Sequence, residues 1–270
     1  MSGAPVGSSG VVSTTTRRVI RALLPEQWRA RINYRLHGEP ALIKAELSAL
    51  SVPWRDFASR RSSRRMTERV VEIPWALSRY QGEQRVLDIG TANAVGLYLD
   101  YLRGLPIREL RGIDLSPREV RGVDMVVADV RAMPFRPHAF DLILCVSSLE
   151  HIGMDNAMYG IAGRQQAGGD RLALEEMRRV IAPTGRLLVT VPFGRPVDYG
   201  WFRQYDLAGW TRLLAETGWL AVEQAFYGYM ENGWAPVDGP GQVASAEYRQ
   251  LDAPAATGLL CAELRSAARQ

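Results

Sequence analysis

Residues 86–96 read VLDIGTANAVG: an apolar run that meets an acidic residue, breaks at Gly90 and passes into a helical pattern. This is how a buried strand followed by a tight turn looks in sequence. Two later runs end the same way, RGIDLS at 111–116 with Asp114 and VVADV at 126–130 with Asp129. In a doubly wound sheet, ligands sit beyond the carboxyl ends of the strands, so Asp88, Asp114 and Asp129 line one edge. The row does not suit a dinucleotide pyrophosphate, because Asp88 would repel it and G-x-G-x-x-G is absent. It suits a ligand that offers hydroxyls, amines and positive charge.

Outward from this stretch, short apolar runs alternate with helical segments and no repeat is present, which argues for a parallel sheet with crossover helices. Strands are expected at 85–89, 109–113, 125–128, 140–146 and 186–191. The helix before the fifth, 170–181, should stop at Pro183 and Gly185. Two more strands, 219–229 and 257–263, have no helix between them and suggest an antiparallel closing pair. Residues 230–256, rich in proline and glycine, read as a long excursion and a candidate lid. Upstream, residues 1–16 read as a flexible tail and residues 17–80 as an N-terminal helical cap, broken by Pro25, Pro53 and Pro74 and anchored by Trp28, Trp54 and Trp75.

At 270 residues and 47% hydrophobic content, the chain can bury a large core and is no disordered polymer. No apolar run reaches the length of a membrane span and the first residues do not resemble a signal peptide, so the expected location is the cytoplasm. Cys145 and Cys261 lack metal or redox spacing and read as buried thiols. The formal charge of +4 is uneven: residues 17–72 carry thirteen basic and six acidic side chains. There, Val19, Ile20, Leu23, Leu24, Trp28 and Ile32 alternate at helical spacing with arginines, giving a basic amphipathic helix. Such a helix can pack on its own domain or on a second subunit in a homodimer, lie on an anionic membrane surface, or touch nucleic acid; packing is the commonest use. Arg60, Arg61, Arg64 and Arg65 read as a solvated face.

The three strand ends resemble class I S-adenosylmethionine-dependent methyltransferases over residues 83–230. The resemblance implies an α/β fold with a Rossmann-like, doubly wound, seven-stranded, mostly parallel sheet and the N-terminal helical cap, binding S-adenosyl-L-methionine. By resemblance, Gly90 lets the backbone approach the donor, Asp114 takes the ribose hydroxyls, Asp129 meets the adenine amine, Leu115 and Val130 sandwich the base, and Asp88 holds the amino-acid portion. Ala92, Asn93 and Ser147 belong to the same expected site. The departure is in the turn, where Ala92 and Ala94 stand in place of further glycines; Asn93 can tolerate the left-handed region.

The fourth strand continues DLILCVSSLEHIG, which delivers Glu150 and His151 to the pocket. An imidazole near neutrality can accept a proton from a substrate hydroxyl, so His151 and Glu150 are the catalytic candidates. Glu150, His151 and Asp170 could also hold Mg2+, which would lower the hydroxyl's pKa. Residues 153–169 form a glycine-rich insertion of lid character. After the fifth strand, Arg195, Asp198, Tyr199, Trp201, Arg203, Tyr205 and Asp206 follow, and aromatics among polar groups can stack on sugar faces.

The segments around SSLEHIG and LEEMRRVIAPTGRLLVTVPFG resemble methyltransferases of bacterial polysaccharide pathways. This implies O-methylation of a sugar or oligosaccharide hydroxyl, in the direction of an actinobacterial methylated mannose or glucose polysaccharide. Two alternatives stand beside it: a membrane-associated quinone or lipid methyltransferase, and a non-catalytic S-adenosylmethionine-binding partner protein. A nucleic-acid acceptor is disfavoured, since no Asn-Pro-Pro-Tyr-like tetrad or suitably placed cysteine is present.

Overall fold

The computed structural model describes residues 38–48, 63–161 and 165–267. The expected tail, the basic amphipathic helix, Trp28, Trp54, Pro25, Pro53, Arg60 and Arg61 lie outside these residues. The described chain runs α1 (Glu39–Ser48), α2 (Arg69–Ser78), β1 (Arg85–Ile89), α3 (Gly96–Gly104), β2 (Glu109–Asp114), β3 (Asp124–Val127) and β4 (Phe140–Val146). It continues with α4 (Gly169–Val180), β5 (Ile181–Pro192), β6 (Val197–Asp198), β7 (Arg203–Gln204), α5 (Leu207–Thr217), β8 (Trp219–Met230), β9 (Gly233–Val237) and β10 (Gly258–Ser266).

The strands form one sheet in the order β3-β2-β1-β4-β5-β10-β8-β9, while β6 and β7 make a separate two-stranded ribbon. Strands β1 to β5 are parallel and β10, β8 and β9 join antiparallel. The order turns outward on either side of the β1–β4 pair, the kind of switch point where α/β sheets open a crevice.

Period-two alternation of apolar residues gives the sheet two buried faces. Leu87, Ile143 and Val189 pack with Leu174, Met177 and Trp210 of α4 and α5. Val86, Leu144 and Leu188 face the other way, onto Ile43, Val70, Trp75, Tyr98 and Leu102 of α1, α2 and α3. The described part of the cap is therefore one of the two helical layers. Pro74 does not break it as expected; it lies inside α2 and is buried. A helix this short can lose one N–H bond when eight of its ten residues are buried against the sheet.

Three further expectations change. The sheet has an eighth strand, because the 230–256 excursion contributes β9 as a hairpin on β8. The rest of that excursion is anchored away from the cleft: Val243 and Ala246 pack with the core, and the Ala246 carbonyl accepts the Arg195 backbone N–H at 3.0 Å and Gln204 Nε2 at 2.7 Å. Helix α4 stops at Val180, before Pro183 and Gly185, which belong to the entrance of β5 where the register against β4 shifts. A side chain at Gly185 would stand 2.9 Å from the Asp141 carbonyl, so glycine serves close strand approach there.

The turn between β8 and β9 ties back to the segment before α2. The Trp234 backbone N–H donates to Ser63 Oγ at 2.6 Å, Trp234 Nε1 to the Met66 carbonyl at 3.2 Å, and the Arg65 N–H to the Tyr229 hydroxyl at 2.6 Å. Only Phe226–Met230 of β8 pairs with β9, which leaves the outer side of 219–225 without a strand partner among the described residues. Leu220 and Val222 are exposed along this edge, where Glu223 pairs with Arg79. The β8–β10 register also breaks at Glu263/Leu264.

Candidate active site

At the carboxyl end of β1 the backbone turns at Gly90 with φ 80°. A Cβ there would lie 2.5 Å from Ser148 Oγ, so the turn needs glycine both for its left-handed backbone and for space. Thr91–Asn93 then form a 3₁₀ turn, held by Thr91 Oγ1 donating to the Asp88 carbonyl at 2.9 Å. The alanines are accommodated because Gly90 alone carries the reversal, and Asn93 does not use the left-handed region. Ala92 is buried beneath the cleft rather than lining it. Its N–H donates to Asp114 Oδ2 at 3.0 Å and so aims that carboxylate.

A single cleft gathers Asp88, Gly90, Asn93, Asp114, Leu115, Asp129, Val130, Ser147 and His151. Asp88 is buried: its Oδ1 accepts the Tyr98 hydroxyl at 2.5 Å, and its Oδ2 has no partner among the described residues. Burial, opposed by the Tyr98 and Thr91 hydrogen bonds, pushes its carboxyl up to about 7. An orphaned, buried carboxylate oxygen lining a cleft calls for a donor such as an ammonium. Asp114 takes the Ser116 N–H on Oδ1 at 2.9 Å, and partial burial raises its pKa against those backbone bonds. Asp129 caps the turn at 130–132 and is gripped by Arg131 through two bonds of 3.0 and 2.7 Å, while Arg131 Nη1 also reaches Gln166 Oε1 at 2.9 Å.

Beyond β4, Ser147 sits at φ 45°. Its N–H donates to Thr190 Oγ1 at 2.9 Å and its hydroxyl to Glu150 Oε1 at 2.7 Å. Glu150 is buried away from the cleft surface; burial pushes its carboxyl up to about 8, and Oε2 is unpartnered among the described residues. His151 does line the cleft. Its Nδ1 is 2.9 Å from the Trp201 carbonyl, which can only accept, so the proton is assigned to Nδ1 and the lone pair to Nε2. Nε2 is 3.8 Å from Glu150 Oε1. Burial lowers the imidazole to about 4, so it is neutral at physiological pH.

The expected Mg2+ site does not form. Asp170 is taken by Arg203 Nη1 at 2.8 Å and the Tyr205 hydroxyl at 3.1 Å, and Glu150 is held by Ser147 in an environment that favours its neutral form. Among the described residues, no group of three or more His, Cys, Asp or Glu could hold a metal ion. The aromatic segment after β5 also packs rather than lining the cleft. Trp201 stacks on His151 at 5.2 Å, Tyr199 stacks on Phe202 at 4.6 Å, and Tyr205 meets Trp210 edge-on at 5.9 Å. Arg195 pairs with Glu247 and Asp206 caps α5, and these charges too lie outside the lining.

Three lining residues carried no sequence signal, Arg69 and Ile73 from α2 and Tyr98 from α3, whereas Asn156, Tyr159 and Ile161 come from the insertion after the Glu-His pair. The described part of the insertion thus borders the cleft, with the Gln166 N–H donating to the Gly153 carbonyl at 2.9 Å. Behind the cleft, Glu72 joins the layers: it pairs with Arg69 and accepts the Thr190 hydroxyl at 2.9 Å.

Residues 87–189 match the family model of a methyltransferase domain. No curated protein matches the chain. Among solved structures, the [4+2]-cyclase SpnF superposes with a TM-score of 0.51 at 15% identity, over 84% of this chain and 93% of that one, and shares its fold. The Burkholderia thailandensis 1,6-didemethyltoxoflavin-N1-methyltransferase, solved with S-adenosylhomocysteine, matches at a TM-score of 0.49 and 14% identity over 98% and 95% of the two chains. The N-methyltransferase NodS from Bradyrhizobium japonicum WM9 gives 0.46 and 16% over 83% and 98%. The family match takes in most of β1, all of β2 to β4, most of β5 and the whole carboxylate row, so this stretch is similar to a methyltransferase domain.

Proposed function

We propose that this chain transfers a methyl group from S-adenosylmethionine to a hydroxyl of a sugar or oligosaccharide, with His151 as proton acceptor and no metal. The observation that carries the methyl-transfer reading is the meeting, in one cleft, of three strand-end carboxylates and an imidazole held with a free lone pair. The residues present fit the donor. Leu115 and Val130 would flank the adenine with Asp129 at its edge, Asp114 would take the ribose hydroxyls, and the unpartnered Oδ2 of Asp88 would take the ammonium. The carbohydrate assignment rests on the sequence resemblance, with the polar side chains of Asn156 and Tyr159 on the cleft wall beside His151.

In the transfer, an acceptor oxygen forms a bond to the methyl carbon as the carbon–sulfur bond breaks, leaving S-adenosylhomocysteine and a proton to remove. The site's contribution is to hold the acceptor in line at near-attack distance and to exclude water. A buried, weakly basic imidazole suits this order of events. It is always unprotonated at working pH, and the oxygen becomes a strong acid only as it is alkylated, so the proton passes to Nε2 late.

Methyl transfer to mannosides and glucosides, measured for wild type and His151→Ala, tests the assignment. Turnover should fall roughly 100-fold or more while S-adenosylhomocysteine binding persists, and a chelator should leave wild-type turnover unchanged. Equal turnover in the variant overturns the role of His151. A second reading is favoured by the apolar residues Ile73, Ile152 and Ile161 on the cleft wall: a quinone or lipid acceptor. Among the described residues no helix is long and apolar enough to cross a membrane, so such an acceptor would be met at a surface. Hydroquinones methylated in preference to sugars would establish that reading. Donor binding without turnover on either class would point to the non-catalytic partner.

A further inference from the structure

His151 and Asn156 form one fixed unit on the cleft wall. The Asn156 Nδ2 group donates to the His151 carbonyl at 3.0 Å and to the Met154 carbonyl at 3.4 Å. Carbonyls only accept, so the nitrogen end of the carboxamide faces them and its oxygen lies at the opposite end. The imidazole is held from other sides: the Trp201 carbonyl takes Nδ1, the Trp201 ring stacks on it at 5.2 Å and the Tyr159 ring meets it edge-on at 5.4 Å. The chain between the two residues is pinned as well. The Asp155 N–H donates to the Gly200 carbonyl at 3.0 Å, and Arg203 Nη2 donates to the Ile152 carbonyl at 3.2 Å.

Asn156 stands at the N-cap of the 3₁₀ turn Ala157–Tyr159, where an asparagine oxygen ordinarily accepts a backbone N–H of the turn. Here it makes no such bond. Asp155 Oδ1 takes the Ala157 N–H instead, at 2.9 Å. Asn156 Oδ1 is therefore left without a partner among the described residues, on a half-buried side chain that lines the cleft. Its two N–H groups are spent on backbone carbonyls, so towards a ligand Asn156 can only accept. His151 Nε2 has the same property, since the proton is on Nδ1. Two side chains held in one unit thus present two acceptors, and a ligand that satisfies both must bring two donors. One is the hydroxyl that loses its proton on methylation; the other keeps its proton throughout.

We propose that Asn156 Oδ1 accepts a hydrogen bond from a second hydroxyl of the acceptor, next to the one that is methylated, so that the site selects diols over isolated hydroxyls. This inference rests on the sugar-methylation reading above and adds the residue that recognises the unreacted neighbour.

Steady-state methyl transfer to the mannoside or glucoside that the wild type methylates best, and to its singly deoxygenated analogues, tests it. In the wild type, deoxygenation beside the methylated position should lower kcat/KM roughly 10- to 100-fold, the cost of leaving a half-buried acceptor unmet. Asn156→Leu, close in size, should bring the parent-to-deoxy ratio down towards one, because the group that reads the second hydroxyl is gone. Asn156→Asp keeps an oxygen and loses the amine, so it should slow both acceptors while preserving their ratio. Wild-type-like affinity for S-adenosylhomocysteine in calorimetry reports that each variant is folded. A ratio that survives in Asn156→Leu or collapses in Asn156→Asp, or a wild type that treats all the deoxy analogues still bearing the reacting hydroxyl like the parent, overturns the proposal while leaving sugar methylation intact. A wild type that binds S-adenosylhomocysteine but methylates no mannoside or glucoside removes the sugar reading and this inference with it.

Discussion

Gly90 is a position where a single methyl group should matter. Its φ of 80° is unfavourable for any L-residue by about 1 to 2 kcal/mol, and a Cβ would meet Ser148 Oγ at 2.5 Å. Gly90→Ala should therefore lower the melting temperature by several degrees and weaken S-adenosylhomocysteine binding at least tenfold, read by calorimetry; unchanged affinity would mean that the turn is not a donor contact. Gly90, Asp88, Asp114 and Asp129 were legible because a strand end concentrates chemistry at a fixed place, whatever side chains surround it. Arg69 and Tyr98 were not, since each belongs to an ordinary amphipathic helix and only the tertiary fold decides which turn faces the cleft. Asp170 failed for a related reason. A carboxylate at a helix start suggests a ligand, but Arg203, thirty-three residues later, arrives to neutralise it.

The β8–β9 hairpin and the cap are held together by few bonds, so they should respond as a unit. Gly233 turns at φ 102° directly against the backbone of Ser63 and Arg64. Gly233→Ala should cost about 1 to 3 kcal/mol, with loss of hydrogen-exchange protection both at 226–237 and in the 63–66 strap. Protection lost at the hairpin alone would show that the strap is not coupled to it. Period-two runs and glycine breaks reveal the parallel strands, whereas β9 stays hidden because GWAPV includes proline and lacks alternation. Its strand geometry is imposed by pairing with Tyr227 and Tyr229 and by the Trp234 bonds to Ser63 and Met66. Pro74 misleads for the same reason in reverse, because the burial of residues 70–77 of α2 outweighs one missing hydrogen bond.

For the molecule as a whole, the buried carboxyls set the response to pH. Burial pushes Glu39, Glu68 and Asp88 up to about 7 and Glu150 to about 8. In the unfolded chain these groups lose their protons near pH 4. Between those limits the folded state binds more protons, so their contribution is complete below about pH 4 and is lost as pH rises through 7 to 8. His151, lowered to about 4, acts in the opposite sense between pH 6.5 and 4. The ligand-free protein should melt at a higher temperature at pH 5.5 than at pH 8.5, and Glu150→Gln should reduce that difference; a melting temperature that rises across the interval would contradict the burial of these groups. Solution behaviour follows from a different feature, the outer half of β8. There Leu220 and Val222 face water, and the charge of Glu223 together with the register break opposite it interrupts an otherwise sticky ribbon. Glu223→Val would join those residues into one uncharged stretch, and concentrated samples should turn turbid on standing at temperatures where the fold is intact. By this expectation one carboxylate, on a rim that no other strand covers among the described residues, guards against aggregation.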